Sequence, residues 1–213
     1  MEHLEIEVKF YAPDIDPVRK NLVESGAVFK EKVFETNMLF DDINKNLTEK
    51  KSLLRLRRDK KNILTFKSLP RDSDKNFKIL RELEVDVSNF DTMRAILESL
   101  GFHHVMTYEK WRETFESKNG THICIDNMPY GDFIEIEGKK REEIKTLSHV
   151  IGLPWKQRII LNYHEIFEII RQDLNLKFSD ITFDNFKNLN IDLQRYMASF
   201  IKQIGRASCR ERV

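Results

Sequence analysis

Cysteine is almost missing from this 213-residue chain: Cys124 and Cys209 are the two present, too few for a disulfide framework. Glycine (7) and proline (5) are scarce as well, so no long flexible linker is expected, and neither an internal repeat nor a low-complexity tract is visible. No apolar run approaches the roughly 20 residues of a membrane-spanning helix. Met1 leads straight into an acidic alternating segment without a signal-peptide pattern, so a cytoplasmic protein with no membrane partner is expected. Excess charge of one sign is absent too. Lys and Arg number 36 against 35 Asp and Glu, and a net charge of +1 gives no reason to expect nucleic acid as a partner.

What the chain does have is charge in quantity, a third of all residues, alternating with apolar side chains. From Glu2 to Tyr11 the residues Leu4, Ile6, Val8 and Phe10 fall on one face and Glu5, Glu7 and Lys9 on the other, the period of a strand. Asp16 caps an expected helix with Pro17 at its first position and Gly26 as its stop. Further strands are expected over 28–40, 53–58, 63–67, 77–87, 105–115, 121–128 and 133–137, with a helix over 90–100 ending at Gly101 and mainly helical chain from Glu142, including 163–174. The fold class that follows is α+β: a closed eight-stranded antiparallel β-barrel with helices packed outside. Its main domain spans 1–190, a C-terminal extension 191–203. The last stretch, 204–213, resembles the translation of a sequencing-adapter oligonucleotide and is expected to be foreign to the fold.

The polar faces of these strands are sorted. Glu5-x-Glu7-x-Lys9, Arg55-x-Arg57, Lys67, Glu82-x-Glu84, Lys110-x-Arg112, Asp126 and Glu135-x-Glu137 occupy seven of the eight strands at the i, i+2 spacing that keeps a pair on one side. A solvated sheet face scatters its charges. If the apolar faces are buried under helices, the charged faces line the lumen, where desolvation costs several kcal/mol per unpaired ion and stability alone favours apolar side chains. A ligand pair of opposite sign resolves the conflict: a polyanion for Arg and Lys, and hard divalent cations for the carboxylates. Carboxylate pairs without His or Cys select Mg²⁺ or Mn²⁺. A small-molecule triphosphate with its metal is the simplest ligand that satisfies both halves.

With these motifs in order, Glu5-Ile-Glu7-Val-Lys9, Leu54-Arg-Leu-Arg57, Leu64-Thr-Phe-Lys67, Arg81-Glu-Leu-Glu84, Lys110-Trp-Arg112, Asp126 and Gly131-Asp-Phe-Ile-Glu-Ile-Glu-Gly138, the chain resembles the CYTH superfamily, or triphosphate tunnel metalloenzymes, over roughly residues 1–165. The resemblance implies that Glu5, Glu7, Glu135 and Glu137 ligate metal, that Arg55, Arg57, Lys67, Lys110 and Arg112 bind the triphosphate, and that Lys9, Lys67 and Asp126 take part in catalysis. Glu82 and Glu84 complete the acidic half. Where many members carry Ser-Tyr near the last helix, this chain has Asn162-Tyr163.

The function expected is a metal-dependent triphosphatase acting on tripolyphosphate, thiamine triphosphate or a nucleoside triphosphate. The alternative is an adenylate cyclase of class IV type, and a non-catalytic sensor of polyphosphate or nucleotide ranks below both. Monomer and homodimer are equally compatible with the sequence. His103, His104, His122 and Cys124 are set aside as ligands, Trp111, Trp155 and the Phe residues are expected in the core, and Arg71–Lys75 reads as a solvated loop.

Overall fold

The computed structural model of the chain describes residues 4–70 and 74–206. Eight strands form: β1 (Leu4–Tyr11), β2 (Val28–Asp42), β3 (Leu53–Arg58), β4 (Asn62–Ser68), β5 (Lys78–Asp86), β6 (Phe102–Glu116), β7 (His122–Met128) and β8 (Gly131–Gly138). They close in the order β1-β5-β4-β3-β2-β6-β7-β8, every pairing antiparallel. Closure leaves no edge strand in the sheet and places alternate side chains inside and outside.

Among the described residues, seven α-helices accompany the barrel: α1 (Asp16–Glu24), α2 (Asn46–Glu49), α3 (Phe90–Ser99), α4 (Arg141–Val150), α5 (Tyr163–Leu174), α6 (Phe183–Phe186) and α7 (Met197–Arg206). On the outer face, Ile6, Val8, Phe10, Ile123, Ile125, Ile134 and Ile136 pack with Val18 and Leu22 of α1 and Ile144 and Leu147 of α4. A smaller outer cluster joins Phe40, Leu54 and Leu56 to Phe90 and Leu97 of α3. The start of α1 differs from expectation: Ile15 takes the cap position, Asp16 lies in the first turn, and its backbone N–H donates to Asp14 Oδ1 at 3.1 Å.

Two further expectations fail on the outer surface. Helices do not cover the whole barrel, so Leu83 and Val85 of β5 stay exposed. Trp111 is not a core residue either; it is 43% exposed on the outer face of β6, tilted against Phe34. Both lie on sheet surface that α1, α3 and α4 do not reach.

The lumen is not charged along its full length. Two residues along from inward polar or charged positions, six strands turn apolar or aromatic: Lys9 gives way to Tyr11, Asn37 to Leu39, Arg55 to Leu53, Tyr108 to Met106, Asp126 to Met128 and Glu135 to Phe133. This apolar layer packs against Ile166, Phe167 and Ile170 of α5 and against Ile181, Phe186, Leu193 and Phe200 from the C-terminal segment. The helix α5 therefore meets inward-facing side chains instead of the barrel's outside. The C-terminal segment docks through backbone as well: Ile181 N–H donates to Thr107 O at 2.8 Å, and Glu109 N–H to Ile181 O at 2.9 Å. Of the stretch 204–213, the first three residues fall within α7 and 207–213 lie outside the described residues, as do 71–73 of the Arg71–Lys75 loop.

Candidate functional site

Glu5, Glu7, Lys9, Arg55, Arg57, Lys67, Lys110, Arg112, Glu135 and Glu137 all line one lumenal cavity of about 200 Å³, together with Glu82 and Glu84. Ten side chains singled out from single-strand patterns thus converge from five strands, β1, β3, β4, β6 and β8. The eleventh, Asp126, stands just behind the wall, fully buried. Lys110 Nζ donates to Asp126 Oδ2 at 3.0 Å, and Arg112 donates to both carboxylate oxygens at 2.6 Å.

Pairing offsets the cost of burying so much charge. Lys9, at 1% exposure, donates to Glu135, which also accepts from Arg112, and Lys67 donates to Glu5. Arg55 reaches the Tyr108 hydroxyl at 3.3 Å, Thr65 Oγ1 at 3.2 Å and Glu84 at 3.4 Å. Not every polar atom is used. Arg55 Nε and Asn37 Oδ1 are buried without a hydrogen-bond partner, and Arg57 Nε, 3.1 Å from Asp59 Oδ2, lies off the line a hydrogen bond needs. The lumen keeps polar capacity for something small.

Several members escaped the sequence reading. Lys78 of β5 lines the cavity and donates to Glu7 Oε1 at 2.7 Å. Glu35 and Asn37 bring β2, the strand without assigned charge, into the inner wall, both buried. Tyr163 turns its hydroxyl inward to Asp126 Oδ2 at 2.7 Å, and Lys9 Nζ sits 4.4 Å from its ring centroid. The Asn162-Tyr163 pair is thereby explained locally. Asn162 caps α5 by accepting from Glu165 N–H at 2.8 Å, Glu165 returns the bond to Asn162 N–H at 2.7 Å, and the next residue enters the site. Asp86, two residues beyond Glu84 on the same strand, does not line the cavity and pairs with Lys61 at the surface.

Electrostatics divide the carboxyls into two kinds. Burial pushes Glu7 up, but Lys78 and Lys9 outweigh it and hold it at about 2. Glu35 follows the same pattern: burial is overcome by Lys110, Arg112 and Arg57, and the value falls to about 2. Glu137 goes the other way, pushed up to about 8 by burial and then by the charges of Glu5 and Glu7. Burial likewise lifts Glu82 to about 7 against the pull of Lys67. Glu5, Glu7, Glu82 and Glu137 crowd one side of the lumen, and the neighbouring negative charge adds to burial in raising Glu82 and Glu137. Among the described residues no three His, Cys, Asp or Glu form a ready-made cage for an ion. The donors are nevertheless all carboxylate oxygens, the set that suits Mg²⁺ or Mn²⁺, and Mg²⁺ is commonly held by one or two carboxylates plus substrate phosphates. The residues present therefore fit such an ion.

His103 and His122 are exposed, His104 bonds Thr107 Oγ1 at 2.8 Å, and Cys124 is buried beside Arg112 and Asp126 with its thiol pushed up to about 12, chiefly by burial. None of the four lines the cavity. Among the described residues no helix is long and apolar enough to cross a membrane.

Comparison with known proteins agrees with this geometry. Residues 3–175 match the CYTH domain family. A candidate adenylate cyclase of Methanocaldococcus jannaschii is 30% identical over 135 residues, covering 63% of this chain and 76% of that protein. Among solved structures, a candidate adenylate cyclase of Vibrio parahaemolyticus superposes with a TM-score of 0.70 at 20% identity, covering 79% of this chain and 99% of the other. HpAC1 of Hippeastrum, a candidate adenylyl cyclase whose structure is reported with a dominant triphosphatase activity, gives 0.55 at 19% identity, covering 79% and 96%. At such identities the structural likeness concerns the fold.

Proposed function

The chain belongs to the CYTH domain family, and from that premise we propose that it is a divalent-cation-dependent triphosphatase that holds a compact triphosphate chain in the barrel lumen. One observation carries this reading: cations from β1, β3, β4, β5 and β6 and carboxylates from β1, β5 and β8 face one cavity of about 200 Å³. That is below the roughly 300–1,000 Å³ typical of pockets that enclose drug-sized ligands. A phosphate chain suits such a space, while a base and ribose would stay at its rim.

Arg55, Arg57, Lys67, Lys110 and Arg112 would clamp non-bridging oxygens, the two-pronged guanidinium groups fixing orientation and the lysines supplying point charge. Lys9 is placed at the most buried part of the cavity wall, tied to Glu135, where it would neutralise charge on a reacting phosphoryl group. Glu5, Glu7, Glu135 and Glu137 would hold Mg²⁺ or Mn²⁺, which supplies Lewis-acid polarisation of phosphoryl oxygens. Asp126 would act from behind, fixing Lys110 and Arg112 against each other.

A cyclase acting on ATP is the second reading, favoured by the name of the archaeal relative. The two readings predict different products. Orthophosphate released from tripolyphosphate with Mg²⁺ or Mn²⁺, and no cyclic AMP from ATP, supports the triphosphatase. Cyclic AMP and pyrophosphate from ATP without orthophosphate release would transfer the site to the second reading. Neither product from either substrate would remove both.

A further inference from the structure

In the closed order of strands, β2 lies between β3 and β6, and its inward residue Glu35 reaches both neighbours. Glu35 Oε1 lies 4.0 Å from Arg57 Nη1 on β3 and 3.8 Å from Arg112 Nε on β6, while Oε2 lies 3.5 Å from Lys110 Nζ. The residue is 2% exposed and does not line the cavity. Among the described residues, its one hydrogen bond comes from Asn37 Nδ2, at 3.3 Å.

These separations matter because they exceed the roughly 2.7–3.2 Å of ordinary N–H···O bonds. At such distances a carboxylate exerts its Coulombic pull on three cations without consuming their donor hydrogens. Asp126 behaves differently, taking short hydrogen bonds from Lys110 and Arg112. A buried carboxylate kept for stability alone would be expected to take full hydrogen bonds too, since an incompletely bonded buried ion is costly. Asp126 already bridges Lys110 and Arg112 from the β7 side, and Glu35 is the carboxylate that stands between that pair and Arg57 across β2.

We propose that Glu35 is a positioning residue for the triphosphate: a buried counter-charge on the strand between β3 and β6 that keeps Arg57, Lys110 and Arg112 aimed at the lumen without taking any of the donor hydrogens that Asp126 and Glu135 leave to phosphate. The proposal rests on the triphosphatase reading above. It separates two quantities that usually move together. Removing the negative charge leaves the wall more cationic, so a polyanion binds at least as tightly. The cations lose their common anchor, so the bound chain is held in the wrong geometry and reacts slowly.

The test compares wild type, Glu35→Gln and Glu35→Asp by tripolyphosphate affinity in metal-free buffer, by turnover with Mg²⁺ or Mn²⁺, and by thermal unfolding midpoint. In Glu35→Gln, affinity is expected to hold or tighten while kcat falls by about 100-fold, the order of a misplacement of about 1 Å. Glu35→Asp, which keeps the charge, is expected to recover part of kcat. Should Glu35→Gln fail to fold, the Asp variant decides: intermediate kcat at wild-type affinity supports the role, and kcat and affinity falling together overturn it. Wild-type kcat in Glu35→Gln overturns it as well. A wild-type protein that neither binds nor cleaves tripolyphosphate would sink the triphosphatase reading and this role with it, whereas an active wild type with an unaffected Gln variant sinks this role alone.

Discussion

The hydroxyl of Tyr163, the first residue of α5, donates to Asp126 Oδ2 at 2.7 Å, so the helix that packs on the apolar half of the lumen is pinned to the carboxylate that organises the cationic half. Asp126 also accepts from Lys110 and Arg112, bonds that do not involve that hydroxyl. Tyr163→Phe is therefore expected to lower stability by about 1.5–3 kcal/mol, the range for a hydrogen bond to a charged group. Denaturant unfolding with an unchanged m-value checks this, and a Phe variant as stable as wild type would mean the bond has no net worth.

If the inward cations bind phosphate, Arg57→Ala and Lys110→Ala each weaken tripolyphosphate binding by about 10–100-fold, the equivalent of one charge-assisted hydrogen bond. Titration calorimetry at fixed salt reads the change directly. A barrel whose charges merely pair with one another would show no such loss.

Chelation separates structure from chemistry. The barrel's apolar layers pack without an ion, so EDTA is expected to abolish turnover and leave the far-ultraviolet circular dichroism unchanged. Glu5→Gln or Glu137→Gln should raise the Mg²⁺ or Mn²⁺ concentration needed for half-maximal rate. A turnover indifferent to EDTA would remove metal from the mechanism.

Protons and cations compete for the same carboxyls. Glu137 and Glu82, at about 8 and about 7, hold more proton folded than unfolded, so their contribution to stability is fully present below the ordinary carboxyl value of 4.5 and is lost as pH rises through 7 and 8. Glu7 and Glu35, at about 2, contribute oppositely: their share is present above 4.5 and is lost as pH falls toward 2. The unfolding midpoint of metal-free protein should therefore decline from mildly acidic pH toward pH 8, and Glu137→Gln should flatten that decline. At pH 7, Mg²⁺ binding should expel protons, seen as a dependence of the apparent binding enthalpy on buffer ionisation.

Much of this site is legible in the sequence because strand periodicity is strict wherever one face is wholly charged. Glu5, Glu7 and Lys9 announce their side of β1 against Ile6, Val8 and Phe10. On β2 the code breaks down. Inward positions run Val33, Glu35, Asn37, Leu39 and outward positions Phe34, Thr36, Met38, Phe40, so both faces mix polar with apolar residues. The lumen itself changes character at Leu39, and Glu35 sits on the charged side of that change with a hydrophobic residue two positions to its left. Lys78 hides likewise behind inward Leu80, and Tyr163 comes from outside the barrel altogether. Closure and order of strands decide which charges meet, and the spacing within any one strand carries no trace of them.

The family match stops at residue 175, yet Ile181 is stitched by backbone to Thr107 and Glu109 on the strand that carries Lys110 and Arg112. A protein trimmed at that boundary would bare the Thr107 carbonyl and the Glu109 amide on β6 and strip Phe186, Leu193 and Phe200 from the inward apolar layer. Such a fragment would be sticky in solution, and its lumen-facing strand would lose the brace that holds it in line.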